Sequence, residues 1–341
     1  MENFVVSARK YRPDVFSSVI GQENITRTLK NSIINKQIAH AYLFCGPRGV
    51  GKTTCARIFA KIINCITPTA DNEPCNECES CTAFNRAGSF NIHELDAASN
   101  NSVEDIRSLI EKVRIPPQIG HYSVYIIDEV HMLSANAFNA FLKTLEEPPP
   151  QSIIILISAS PDRLPETIRS RCSRINFSPL SPEQCKKVIK IIDNHDREIS
   201  DSQLSTLSRL SMGRPGLAIS SDLMEERDWF FNLFGEMSGG RNKETWADKE
   251  EMELWFNKAF MLLRDIAVLK ITGKSDMLIN TDLKDRFAEM SRAVEMKDII
   301  DIYGRLSFLK GYLGFNLNKS ITWNYVTVIM QTLKLKGLHN F

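Results

Sequence analysis

What this sequence lacks narrows it first. It has no excess of either charge: 42 basic residues against 41 acidic ones leave a net charge of +1. Bulk electrostatics therefore does not announce a nucleic-acid binder, and any contact with DNA must come from local patches or from a larger assembly. It has no long apolar run; stretches such as 152–157 fall far short of the roughly 20 residues that cross a bilayer. The opening stretch MENFVVSARKYRP has no apolar signal region, so a cytoplasmic protein with no membrane partner is expected. It has no internal repeat and no low-complexity tract. What remains is ordinary for a globular protein, with 43% apolar and 24% charged residues, and 341 residues suffice for two or three domains. Eight cysteines in a reducing compartment argue against a disulfide framework. Four of them cluster, which points to a metal.

Residues 1–177 alternate short apolar runs with helical spacing. Ala41–Phe44, Ile92–Leu95, Ser123–Ile127 and Ile153–Ser158 read as strands. Thr53–Asn64, Val103–Val113 and Ala135–Glu147 read as helices, the last stopped by Pro148, Pro149 and Pro150. Strands alternating with helices predict an α/β fold around a parallel sheet. From Ser181, an expected helix N-cap followed by Pro182, the signals are almost entirely helical. A turn is expected at Gly213–Gly216 and a linker at Ser238–Asn242. The expected division is a nucleotide-binding domain over 1–178, a helical lid over 179–238 and an all-α domain suited to subunit packing over 239–341.

Residues 46–53 read GPRGVGKT, satisfying G-x-x-x-x-G-K-[ST] with a strand before and a helix after. Gly46, Gly49 and Gly51 allow the tight turns that aim successive N–H groups of the loop, which also holds Pro47, Arg48 and Val50, at phosphate oxygens. The helix that follows, beginning with Lys52, Thr53 and Thr54, presents its positive end to the same anion. Lys52 is expected to reach the β- and γ-phosphates of ATP, and Thr53 to ligate Mg²⁺. Residues 124–129 read VYIIDE. A buried strand there ends in Asp128, expected on Mg²⁺, and Glu129, expected to orient or deprotonate the attacking water.

Cys65, Cys75, Cys78 and Cys81 have the number and spacing of a tetrahedral Zn²⁺ site. Cys65 would close the site from the end of the helix that follows the glycine-rich loop. The polar loop between cannot pack a core of its own, so a metal would supply local folding energy. Four thiolates leave no open position, so this zinc is expected to be structural. Cys45, Cys55, Cys172 and Cys185 show no metal spacing.

The segments ARKYRP (8–13), VIGQE (19–23), HAYLFCGPRGVGKTT (40–54), ELDAASNNSVEDIR (94–107), YIIDEVHMLSANAFNAFLKTLEEPP (125–149) and LPETIRSRC (164–172) together resemble the gamma/tau subunit of the bacterial DNA polymerase III clamp loader. The resemblance covers about residues 5–180 and weakens beyond. It implies a AAA+ P-loop ATPase with a helical lid and a helical collar, and a zinc module at 65–81. It implies that Arg171 is an arginine finger reaching ATP in a neighbouring subunit, and that Arg9, Tyr11, Arg12 and the 19–21 segment surround the adenine. Implied partners are other clamp-loader subunits (delta, delta-prime and further gamma/tau copies), the sliding clamp and primer–template DNA. Members of the family are conventionally classed with DNA-directed DNA polymerase, although nothing in this sequence resembles a polymerase active site.

Two positions depart from the gamma/tau pattern. Ala159 stands where a polar residue usually senses the γ-phosphate, with Ser158 and Ser160 beside it. Gly216 stands where the lid's Arg is expected, with Arg214 nearby, either as a phosphate contact or as a solvated turn residue. These departures, and collar-like stretches near 254–269 and 311–318, resemble the delta-prime subunit. That leaves an alternative: a subunit that binds ATP but serves mainly as a scaffold and arginine-finger donor.

Overall fold

The structure is a computed structural model that describes residues 12–86, 89, 91–113, 115–117, 121–193, 199–239, 246–315 and 317–334. It divides into two compact units, one of residues 1–198 and 211–220, the other of 199–210 and 221–341.

The first unit is built on a five-stranded sheet. Its strands are β1 (Ala41–Cys45), β2 (Ile92–Asp96), β3 (Ser123–Asp128), β4 (Ser152–Ser158) and β5 (Ser173–Asn176). They run in the order β2-β3-β4-β1-β5, and every pairing is parallel. Parallel pairing places every strand's carboxyl end on one edge, so Cys45 lies opposite Ser158, and Asp96 opposite Asp128. A parallel sheet must be covered on both faces, and the strand residues split accordingly. Tyr42, Phe44, Val124, Ile126, Ile153, Ile155 and Ile157 enter one apolar cluster. Leu43, Tyr125, Ile127, Ile154 and Leu156 enter another.

Helix α1 (Glu23–Ile34), α2 (Lys52–Ile63) and α3 (Glu79–Asn85) accompany the first cluster. Helix α4 (Val103–Val113) and α5 (Ala135–Glu146) accompany the second. Helix α2 is buried almost all round, from Cys55 through Ile63, because it is a core helix and not an amphipathic surface one. Ser134 caps α5 by accepting from Ala137 N. After the short α6 (Glu166–Arg169) and β5 comes α7 (Pro182–Asp193). Ser181 opens it with a reciprocal box: its Oγ accepts from Gln184 N, and Gln184 Oε1 accepts from Ser181 N.

The second unit is all-helical: α8 (Asp201–Leu210), α10 (Leu223–Gly239), α11 (Lys249–Thr272), α12 (Lys284–Ala293), α13 (Met296–Gly311) and α14 (Lys319–Lys334), while α9 (Pro215–Ser220) belongs to the first. The linker expected at Ser238–Asn242 begins later than that, since α10 runs through Gly239; the remainder of it lies outside the described residues. The core of this unit is aromatic. Trp246 packs on Trp255 and Trp323 with ring centroids 5.7 and 5.1 Å away, and Phe230, Phe234, Phe256 and Phe287 fill the remainder.

Candidate functional site: a phosphate loop at the carboxyl edge of the sheet

The 46–51 loop leaves β1 at the point where the strand order reverses, with β4 on one side and β5 on the other, where open α/β sheets bind ligands. Its glycines take left-handed or extended positive φ values: 144° at Gly46, 85° at Gly49 and 99° at Gly51. At Gly46 a side chain is excluded twice over, because a Cβ there would lie 2.5 Å from Phe177 O. Gly46 N donates to Ser158 O at 3.2 Å, which ties the loop to the end of β4. Gln22, buried at 4% exposure, braces the other side by donating to Val50 O and Ser178 O.

Lys52 is buried, and its Nζ donates to Gly46 O and Pro47 O at 2.8 and 2.7 Å. Burial lowers its pKa, with Glu129 and Asp128 pulling the other way. Thr53 Oγ1 donates to Asp128 Oδ2 at 2.7 Å. Two oxygens adjacent in an octahedral Mg²⁺ shell lie about 2.9 Å apart, given metal–oxygen distances of roughly 2.0–2.1 Å, so this pair fits that ion. Asp128 Oδ1 accepts from Glu129 N at 2.8 Å. Glu129 itself sits in the left-handed region (φ 47°, ψ 41°), an unusual position for a residue with a side chain. Its Oε1 is 3.8 Å from Arg48 Nε. Its Oε2 is buried without a hydrogen-bond partner and lies 3.5 Å from His131 Nδ1. The structure thus brings Gly46, Pro47, Arg48, Gly49, Val50, Gly51, Lys52, Thr53, Asp128 and Glu129 to one sheet edge, with half-buried Thr54 on the following turn.

Arg12 is half-buried ahead of the short turn at Phe16–Ser18, and Tyr11 and Arg9 lie outside the described residues. Arg171 donates to Thr167 O and pairs with Glu146 at 2.7 Å. Of the two departures, Gly216 has a physical explanation. Ala159 lies past the strand end, and the buried hydroxyl at that end belongs to Ser158, whose Oγ accepts from Ser160 N. Gly216 N donates to Gly49 O at 3.0 Å, and a Cβ on Gly216 would lie 2.8 Å from Gly49 Cα. No side chain fits there without moving the phosphate loop, so an Arg at position 216 is excluded by packing. Arg214 remains, with Nε donating to Ser211 O and with burial lowering its pKa.

Cys65, Cys75, Cys78 and Cys81 place four sulfurs within 4.8 Å of one another, with individual separations of 3.5, 3.9 and 4.0 Å. Tetrahedral zinc with Zn–S of about 2.3 Å requires roughly 3.8 Å between sulfurs, so the cluster has the dimensions of a metal site. Cys75 N and Cys78 N donate to the sulfurs of Cys65 and Cys75. The Thr67 hydroxyl, and then backbone N–H groups, bring the Cys75 thiol down to about 6, the charge a metal ligand needs. Burial pushes the Cys81 thiol up. The loop is anchored by Glu73, a buried carboxylate that accepts from Phe16 N and Ser17 N and pairs with Lys30 at 2.6 Å. Sequence reasoning missed Glu73; its one signal was an acidic residue in a loop with no core.

The family described as "DNA polymerase III, delta subunit" matches residues 21–181, the stretch that carries the loop, Asp128 and Glu129. DNA polymerase III subunit tau of Bacillus subtilis is 43% identical over 230 residues, covering 64% of this chain and 41% of the relative. The tau subunit of Escherichia coli is 40% identical over 229 residues, 66% of this chain and 36% of that protein. The chain is thus similar to the DNA polymerase III gamma/tau subunits over about two thirds of its length. It spans well under two thirds of the length of these gamma/tau relatives. A DNA polymerase III gamma subunit-related protein of Thermotoga maritima aligns over 90% of the chain and 99% of its own, at 18% identity and a TM-score of 0.45. A strand, a glycine-rich loop and a helix follow one another in the order a phosphate-binding P-loop requires. Among the described residues no helix is long and apolar enough to cross a membrane.

Proposed function

We propose that this chain is an ATP-driven clamp-loader subunit of gamma/tau type, acting in chromosomal replication in the cytoplasm. The observation that carries the reading is the Thr53–Asp128 hydrogen bond at the mouth of the Lys52 loop. It sets a hydroxyl and a carboxylate side by side where a metal-bound triphosphate would lie. Loop N–H groups and Lys52 bind the phosphates, with Lys52 exchanging its two carbonyl partners for phosphate oxygens. Thr53 and Asp128 hold Mg²⁺, which neutralises charge developing on the β- and γ-phosphates. Glu129 orients the attacking water and takes its proton. Arg171 acts on ATP bound by a neighbouring subunit; its exposed pair with Glu146 is of a kind worth only about 0.2–1 kcal/mol, so it is readily exchanged.

ATP between subunits would draw them into an arc that opens the sliding clamp, and primer–template DNA would trigger hydrolysis and release. The lid over 179–238 and the collar over 239–341 are part of this reading. Exposed apolar side chains on α13 and α14 (Ile300, Phe308, Tyr325 and Val328) support subunit packing with delta, delta-prime or further gamma/tau copies. The four thiolates hold Zn²⁺ as a structural ion that pins the 65–81 loop against α2.

The test is ATP turnover with clamp and primed DNA, comparing the wild type with Lys52→Ala. A loss of turnover in the variant supports the reading, and equal rates overturn it.

A further inference from the structure

We infer that His131 is a positioning residue for Glu129, holding the hydrolytic carboxylate through its Nδ1–H and tying it to the end of β4. This rests on the hydrolysis reading above.

His131 lies on the 3-10 turn Val130–Met132, directly after Glu129. Its side chain is only 9% exposed, so water does little to solvate the ring. Nδ1 is 3.2 Å from Ser158 Oγ and 3.5 Å from Glu129 Oε2. The turn's backbone is closed by Met132 N donating to Glu129 O and Leu133 N donating to Val130 O. The directions in which both side chains leave the chain are therefore set together.

The polar accounting around the ring points to its task. Among the described residues, Glu129 Oε2 is the one carboxylate oxygen buried without a hydrogen-bond partner. A buried carboxylate oxygen left so is costly. The nearest candidate donor is the imidazole. Ser158 Oγ already accepts from Ser160 N, which leaves its own hydrogen to be donated. With the ring proton on Nε2, Nδ1 accepts from Ser158 and turns a lone pair towards Glu129, which repels it. With the proton on Nδ1, the ring donates, to Ser158 at the present distances or to Glu129 after a small rotation. Ser158 O also accepts from Gly46 N, so the strand end that touches the phosphate loop touches the ring as well. Glu129 has few other restraints: Arg48 is exposed and 3.8 Å away. In that rotated arrangement the ring N–H is the contact that keeps the carboxylate from turning, and a misplacement of about 1 Å can lower a rate about 10²-fold.

The experiment uses the full chain with clamp and primed DNA. It measures ATP affinity and single-turnover hydrolysis for the wild type, His131→Ala, His131→Asn, Glu129→Gln and the Glu129→Gln/His131→Ala pair. The expected result is that His131→Ala binds ATP as the wild type does but hydrolyses it at least about tenfold more slowly. His131→Asn, whose amide N–H lies near the Nδ1 position, recovers part of the rate. His131→Ala adds nothing on the Glu129→Gln background, because the histidine acts through that carboxylate. Hydrolysis at the wild-type rate in His131→Ala overturns the inference. So does weakened ATP binding in both histidine variants, failure of His131→Asn to recover rate, or additivity in the double variant. A wild type that binds no ATP, or binds it and never hydrolyses it, overturns the functional reading itself and this inference with it.

Discussion

The two units treat buried charge differently. In the helical unit each buried charge meets an opposite one. Arg227 is bidentate to Asp282, at 2.9 and 2.7 Å. Lys258 pairs with Glu226 at 2.8 Å. Asp265, with no exposure, accepts from Ile279 N, Asn280 N and Asn280 Nδ2, and pairs with Arg264. Among the described residues the buried side-chain atoms left unpaired there are neutral: two Trp indole nitrogens, the Asn280 Oδ1 and the Thr327 hydroxyl. In the sheet unit Glu73 is likewise matched, by Lys30 and two backbone N–H groups, but at the carboxyl edge Lys52 donates to loop carbonyls alone and Glu129 Oε2 has no hydrogen bond. Charges fully matched inside a fold stabilise it; charges left incompletely matched at a sheet edge are set to meet something else. The helical unit's buried charges serve its own packing, while two at the sheet edge are left incompletely matched.

Metal removal should break this comparison most visibly. Structural zinc contributes on the order of 10 kcal/mol in small zinc-folded peptides. Chelation should therefore destabilise the sheet unit and leave the helical unit's unfolding transition where it was, as followed by calorimetry. Elemental analysis should find about one zinc per chain, since a four-ligand site holds one ion; a folded, metal-free protein contradicts the reading of the cysteines. Glu129→Gln comes next. It should slow ATP turnover by about 10²–10⁴, the usual contribution of a general base, while ATP still binds. A core change in the other unit should do the reverse: Trp255→Ala should cost about 3–5 kcal/mol of that unit's stability and leave ATP affinity unchanged, read by denaturant unfolding and equilibrium binding. The smallest effect is expected at Gly216→Ala, where the added methyl meets Gly49; overpacking of this kind costs about 1–3 kcal/mol and should appear as weaker nucleotide binding. If Gly216→Ala binds nucleotide as tightly as the wild type, α9 and the loop are not coupled by that contact.

Much of the sheet unit could be read from residues alone, because its signals are local. A strand running into GPRGVGKT, a strand ending in Asp128–Glu129, and cysteines three apart all announce themselves within a few positions. Strand β5 did not: of Ser173, Arg174, Ile175 and Asn176 only Ile175 is buried, so an edge strand left no apolar pattern to count. His131 and Ser158 were beyond local reading for a different reason. They are 27 positions apart and meet only because β3 and β4 are neighbours in the sheet. Glu73 is similar, since its partners Phe16 and Ser17 lie more than 50 positions earlier. The reason for Gly216 required the structure too: a residue that looked like a missing Arg is a glycine because the backbone of Gly49 occupies the space.

The central claim is that the 46–53 turn grips a triphosphate with Thr53 and Asp128 facing it through a metal. Equilibrium binding of ATP, with and without Mg²⁺, by the wild type, Lys52→Ala and Asp128→Asn tests it most directly. Mg²⁺-dependent binding by the wild type, loss of binding in Lys52→Ala and loss of the Mg²⁺ dependence in Asp128→Asn are the expected results. Equal binding by all three proteins, or no binding by the wild type, would contradict the claim.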